Sequence, residues 1–201
     1  MTRSRLLTAF LAPVAVVSLS SCGINSIPTA EEEAKARWAD VQNQYQRRAD
    51  LIPNLVETVK GYAAQEKSVL TQVTEARARA TQVTVSPEQL SDPEAMRRFG
   101  QAQGALSSAL IPFQRLQEAY PDLKSNQNFL ALQSQLEGTE NRITVARGDY
   151  NKAVQAYNTR IRTFPDVIGA KVFYGAKPMV PFQATTPNAE TAPKVNFGAS
   201  Q

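Results

Sequence analysis

From Ala34 to Ala80 the apolar residues recur in alternating steps of four and three. The series runs Ala34, Trp38, Val41, Tyr45, then Ile52, Leu55, Val59, Tyr62, then Val69, Val73, Ala76 and Ala80, with Arg48 and Glu66 in the two vacant positions. A repeat of about 3.5 residues held this long requires helix that buries one stripe against partners along its length. The phase survives Pro53 and Gly61, so the expectation is one long helix kinked near residues 50–53. Thr29 is the expected N-cap, which puts Glu31, Glu32 and Glu33 in the first turn, where the helix dipole favours negative charge.

Two further helical patterns follow. Ser86-Pro87-Glu88 and Asp92-Pro93-Glu94 are cap–proline–acid starts. The second stripe is Met96, Phe99, Gln103, Leu106, Leu110, Phe113 and Tyr120, with Gly100 and Gly104 four apart, where another backbone could approach closely. The third is Phe129, Leu132, Leu136, Ile143, Ala146, Tyr150, Tyr157, Ile161 and Phe164, stopped by Pro165. Nothing alternates as a strand would. After Gly169 the chain turns to Pro, Ala, Thr and Asn, the composition of an extended or flexible tail. The expected fold is all-α: an elongated, antiparallel three-helix bundle, or four-helix if residues 165–170 add a short helix. Its up-down-up course makes the first and third helices parallel and starts the tail at the end far from the N-terminus.

Composition excludes more than it suggests. There is no His and a single Cys, which removes histidine bases, imidazole ligands, intrachain disulfides and thiolate clusters. No metal or cofactor site is expected. Residues 1–21 read as an export signal: Arg3 and Arg5, a short apolar run from Leu6 to Leu19, then Leu19-Ser20-Ser21-Cys22. That ending resembles a lipobox, with Cys22 as the lipid attachment site. Removing the signal takes away Arg3 and Arg5 and no acid, lowering the formal charge of +4 by two. The remainder is too small for a nucleic-acid footprint. The expected divisions are 1–21 signal peptide, 22–30 tether, 31–168 helical bundle and 169–201 flexible Pro-rich tail.

The run Trp38-Ala39-Asp40-Val41 through Gln46-Arg47-Arg48-Ala49-Asp50-Leu51-Ile52-Pro53-Asn54-Leu55 closely resembles the signature of the bacterial LemA family. The resemblance continues at Tyr120-Pro121-Asp122-Leu123-Lys124, at Leu136-Glu137-Gly138-Thr139-Glu140-Asn141-Arg142, at Ala146-Arg147-Gly148-Asp149-Tyr150-Asn151 and at Tyr157-Asn158-Thr159. It implies a helical, membrane-anchored, outward-facing envelope protein and supplies no catalytic residues. Many family members keep an N-terminal membrane helix, whereas this chain carries a lipoprotein-type signal. With Gly23 after Cys22, family-level sorting knowledge implies the periplasmic side of the outer membrane in a two-membrane cell.

An unpaired guanidinium in a core position would be very costly. Counting along parallel first and third helices pairs Arg48 with Glu140, and Glu66 with Arg160, as a polar seam. Arg47, Asp50, Pro53 and Asn54 form the candidate partner surface. Trp38, Tyr45, Tyr62, Tyr120, Tyr150 and Tyr157 are expected in the core. The expected role is a non-enzymatic, lipid-anchored envelope scaffold or interaction module with an unidentified protein partner. The alternatives are a carrier of an apolar ligand in the bundle core and, behind it, a hydrolase working through paired carboxylates.

Overall fold

The computed structural model describes residues 25–183. Among these described residues four long helices carry the fold: α1 (Ser26–Lys60), α2 (Lys67–Gln82), α3 (Pro93–Ala119) and α5 (Gln127–Arg160). Short helices α4 (Pro121–Ser125) and α6 (Asp166–Gly169) turn two of the corners. No strand occurs among the described residues, and the all-α reading stands. No helix among them is long and apolar enough to cross a membrane.

The single helix expected over Ala34–Ala80 is two. The chain breaks at residues 61–66, not near Pro53, and α2 folds back along α1. The repeat kept its phase because both helices bury their stripes in a shared core. Periodicity reports which face is buried and carries no mark of chain reversal. Burial does shift by one residue at the break: Ala63 and Leu70 are buried, while Tyr62 is exposed and Val69 half-buried. Pro53 sits inside α1. Lacking an N–H, it leaves the Ala49 carbonyl without its helical donor, and Arg77 Nε from α2 donates to that oxygen at 2.7 Å. The proline thus clasps the hairpin.

The extra reversal makes the number of long helices even, and α5 runs antiparallel to α1. At one end Asn126 Nδ2 donates to Tyr62 Oη at 2.7 Å. At the other, Arg160 Nη1 donates to the Ser26 carbonyl at 3.3 Å, and Ser26 Oγ donates to Asp166 Oδ2 at 2.7 Å. The up-down-up course is therefore corrected: the start of α1 and the Gly169 corner lie side by side. The tether expected over 22–30 is corrected for 26–30, since helix begins at Ser26 and Ile27 is buried. Asn25 is the N-cap residue, Thr29 Oγ1 donates to its carbonyl, and the three glutamates lie beyond the first turn. The later starts are as expected: Ser86 N–H donates to Gln89 Oε1 at 3.0 Å, and Asp92 Oδ1 accepts from Glu94 N–H at 2.9 Å.

Residues 170–183, expected as the beginning of a flexible tail, pack on the bundle. A π-helical turn over Ala170–Tyr174 ends at Gly175, whose φ of 55° is the left-handed conformation that favours glycine. The chain then runs extended as a strap along α5, with Met179 buried and Val180 N–H donating to the Leu90 carbonyl at 2.8 Å. Phe164, expected on the buried stripe, is 80% exposed because α5 has already ended at Arg160. The signal segment 1–21, Cys22 and the tail beyond Gln183 lie outside the described residues.

Candidate functional site

Two apolar cores fill the bundle, one around Trp38, Phe99 and Tyr150, the other around Leu55, Leu106 and Phe129. Between them lies a polar layer. Arg48 of α1 is 1% exposed, and Gln103 of α3 and Thr139 of α5 are the other buried polar side chains among the described residues. Arg48 Nη1 donates to Glu140 Oε1 at 3.0 Å and to Ser107 Oγ at 2.8 Å. Its Nη2 donates to Gln103 Oε1 at 2.6 Å and to the Gln103 carbonyl at 3.2 Å. The guanidinium also lies 5.0 Å from the centre of the Tyr45 ring, a cation–π distance. Gln103 turns its amide nitrogen to the Ala80 carbonyl at 3.0 Å, satisfying an acceptor in the last turn of α2. Arg48 Nε is left as a buried donor with no partner among the described residues.

Above this layer α3 and α5 stand apart, and a groove of about 760 Å³ opens between them. Tyr45 and Arg48 of α1 form its floor, Gly100 through Gln114 one wall, Leu136 through Arg147 the other, and Phe182 of the strap closes one end. Gly100 and Gly104 line this wall, and the absence of side chains there widens the opening. Pro112 lies inside α3 and deprives the groove-lining Ser108 of its helical donor. Burial pushes the Tyr45 hydroxyl pKa above its ordinary value, against the opposing pull of Arg147 and Arg48, so the floor keeps a neutral phenol at neutral pH.

The strap shows what this face of α5 can hold. Asn158 Nδ2 donates to the Met179 carbonyl and its Oδ1 accepts from Met179 N–H, both at 2.8 Å. Two turns back, Asn151 repeats the pair on Phe182, at 3.1 and 2.8 Å. Arg147 Nη2 donates to the Gln183 carbonyl at 3.2 Å, and its guanidinium lies 4.8 Å from the centre of the Phe182 ring. Each asparagine offers one donor and one acceptor, which is what one residue of an extended backbone needs. Continuing toward the start of α5, the next residues on this face, Thr144 and Glu140, line the groove. Phe182 packs against Trp38 with ring centres 5.5 Å apart, and Trp38 Nε1 donates to the Val85 carbonyl at 2.9 Å.

The structure brings together Arg48 and Glu140 and keeps Glu66 and Arg160 apart. Glu66 Oε1 accepts from Tyr120 Oη at 2.9 Å at the turn end of the bundle, whereas Arg160 holds Ser26 at the opposite end. The second pair assumed a parallel α5 and is corrected. Arg47, Asp50, Pro53 and Asn54 are exposed together on α1. Asp50 Oδ1 accepts from Gln46 Nε2 at 2.8 Å. Tyr45, Tyr150 and Tyr157 are buried as expected. Tyr62 and Tyr120 are instead held at the turn end by the hydrogen bonds just given. Missed from the sequence were Asn151 and Asn158 as strap holders; their spacing of two helical turns was the available signal.

The sequence pattern described as the LemA family matches residues 37–197. Magnetosome protein MamQ 2 of Paramagnetospirillum magneticum is 25% identical over 171 residues, covering 77% of this chain and 63% of the relative. Magnetosome protein MamQ of Magnetospirillum gryphiswaldense gives the same identity and coverage. Protein LemA of Metamycoplasma hominis is 24% identical over 140 residues, covering 70% of this chain and 60% of the relative. The chain spans less than two thirds of the length of each of these relatives.

Proposed function

The chain belongs to the LemA family, and we propose that it is a non-enzymatic, membrane-anchored interaction module of the cell envelope whose α3/α5 groove takes an extended polypeptide segment of a partner. Cys22 is the proposed lipid attachment site, and the bundle faces outward from the membrane. The observation that carries the groove reading is the strap: α5 holds an extended backbone through Asn158, Asn151 and Arg147, and that face leads into the groove. Arg48 at the floor of the groove adds a positive charge, only part-balanced by the half-exposed Glu140, toward which a carboxylate or backbone carbonyl of the incoming segment would be drawn.

Chemistry argues against the alternatives. The groove lining contains one carboxylate, Glu140, already engaged by Arg48, where a carboxylate hydrolase needs a closely placed pair. Leu110, Ile111, Leu136 and Ile143 share the lining with Arg48, Gln101, Gln103, Gln114, Glu140 and Arg147, and a wholly apolar ligand would leave those charged and amide groups without partners. The exposed set Arg47, Asp50, Pro53 and Asn54 remains a candidate for a second partner contact.

The test is selection of a displayed random-peptide library on the purified chain and on its Ser108→Trp variant, in which an indole fills the groove from an exposed position. Peptides recovered on the parent should be lost on the variant while its thermal unfolding is unchanged. Equal recovery on both chains would place peptide binding elsewhere and refute the groove.

A further inference from the structure

We infer that the corner carrying Phe164, Ile168, Val172, Phe173 and Tyr174 is a second membrane contact, inserting into the lipid interface beside the N-terminal end of the bundle. The inference deepens the anchored reading of the previous subsection and rests on it. These five side chains are 80%, 55%, 68%, 68% and 42% exposed. Elsewhere among the described residues only Tyr62, Ile111, Leu130 and Val145 are large, apolar and comparably exposed. A cluster of this size within one short stretch marks a contact surface in a way that scattered apolar side chains do not.

The corner is built with its small residues inward and its large ones outward. Gly169 and Ala170 are buried, and a β-carbon at Gly169 would stand 3.5 Å from Ile27 Cδ1. The close approach of Gly169 to α1 turns the neighbouring aliphatic and aromatic side chains toward the outside. This reverses the amphipathic order that water alone would select.

The occupant follows from where the chain leaves and from charge. The first described residues, Asn25 and Ser26, lie at this corner, with Ser26 bonded to Asp166 and Arg160, and the sequence of residues 1–24 before them contains the apolar run Leu6 to Leu19 and Cys22. Any anchor in that segment brings the corner to the bilayer. Arg162, Lys171 and Lys177 are exposed around the apolar cluster, while Asp166 accepts from Ser26. The nearby Glu31 and Glu32 pair with Lys35, and Glu33 pairs with Arg37. An aromatic-aliphatic face rimmed by cations is the composition that settles at an anionic lipid interface.

The test places a tryptophan at the corner of the full chain by Phe173→Trp and, as control, on α5 by Val145→Trp. Each chain is purified from bacterial membranes and reconstituted in vesicles of phosphatidylethanolamine and phosphatidylglycerol, with and without brominated acyl chains. The signal of the buried Trp38, measured in the parent, is subtracted. Emission from position 173 should fall at least about twofold with brominated lipid, and that from 145 should not, given the shallow depth of interfacial insertion. Equal quenching at both positions in a chain that floats with the vesicles would overturn the corner and leave the anchor standing. A blue-shifted, unquenched emission from 173 would mean that a second copy or another protein covers the corner, overturning the bilayer as occupant. A chain that does not float would overturn anchor and corner together.

Discussion

Arg48 holds its guanidinium between two apolar cores, and its four hydrogen bonds reach three residues on two other helices. Those partners are unequal. Glu140 is 39% exposed on its side chain, so water screens the ion pair and can solvate the carboxylate when the pair is broken. Gln103 and Ser107 instead satisfy donors that water does not reach. Arg48→Met should therefore cost about 3 kcal/mol of stability in urea unfolding, and Glu140→Gln about 1 kcal/mol or less. Swapping the charges, Arg48→Glu with Glu140→Arg, should not restore the parent, because a carboxylate at 48 would face the Gln103 carbonyl and amide oxygens. Full recovery would show that the ion pair alone defines the layer. The Arg48–Glu140 contact was legible from the sequence through a register that was itself wrong. Residues near the middle of two long helices face each other whichever way the helices run; residues near the ends, such as Glu66 and Arg160, do not.

The hairpin of α1 and α2 and the strap along α5 are where elements departed from expectation, for related reasons. Helical periodicity records apolar stripes, and α1 and α2 share one; the strap has almost no stripe, because its backbone is held by side-chain amides. Proline and asparagine carry these features through backbone hydrogen bonding, which hydropathy patterns do not register. Asn158→Ala removes two hydrogen bonds to Met179 and should cost about 1–2 kcal/mol. Amide exchange at Met179 and Phe182 should accelerate well before the helices respond. Exchange unchanged at both amides would mean that Met179 and Phe182 hold the strap by packing alone. Tyr150 adds a pH limit. Burial raises its pKa above the ordinary tyrosine value, and its hydroxyl donates to the Val180 carbonyl at 3.0 Å. Burial is also the leading cause that raises Tyr45 and Tyr157. Folding therefore favours the protonated phenols. Stability from these groups is complete below about pH 10, the unfolded tyrosine value, and falls as pH rises through the folded values. Unfolding midpoints followed from pH 7 upward should stay level with respect to these groups and then drop.

Across the whole molecule, the even number of long helices puts the first described residues, the exposed apolar corner and the foot of the strap at one end. The three-helix course would separate Ser26 from Lys171 by about 50 Å, the length of a helix like α1. Spin labels at Thr29 and Lys171 should instead report a distance below about 25 Å, half that helix length; a long separation would restore the odd topology. Helix class, most core positions and the Arg48 layer were legible because each is written as a repeat or as a polar interruption of one. The groove was not, since an opening between α3 and α5 depends on which helices pair, and that depends on the reversal at residues 61–66. The groove's role is tested most directly in living cells, by placing a benzophenone photo-crosslinker at Ser108 and, separately, at Arg47, then sequencing what each captures. The account predicts that Ser108 yields a short continuous stretch of another envelope polypeptide, in greater amount than Arg47 does. Capture from Ser108 of only lipid or of this chain's own residues 184–201, with polypeptide adducts confined to Arg47, would contradict it.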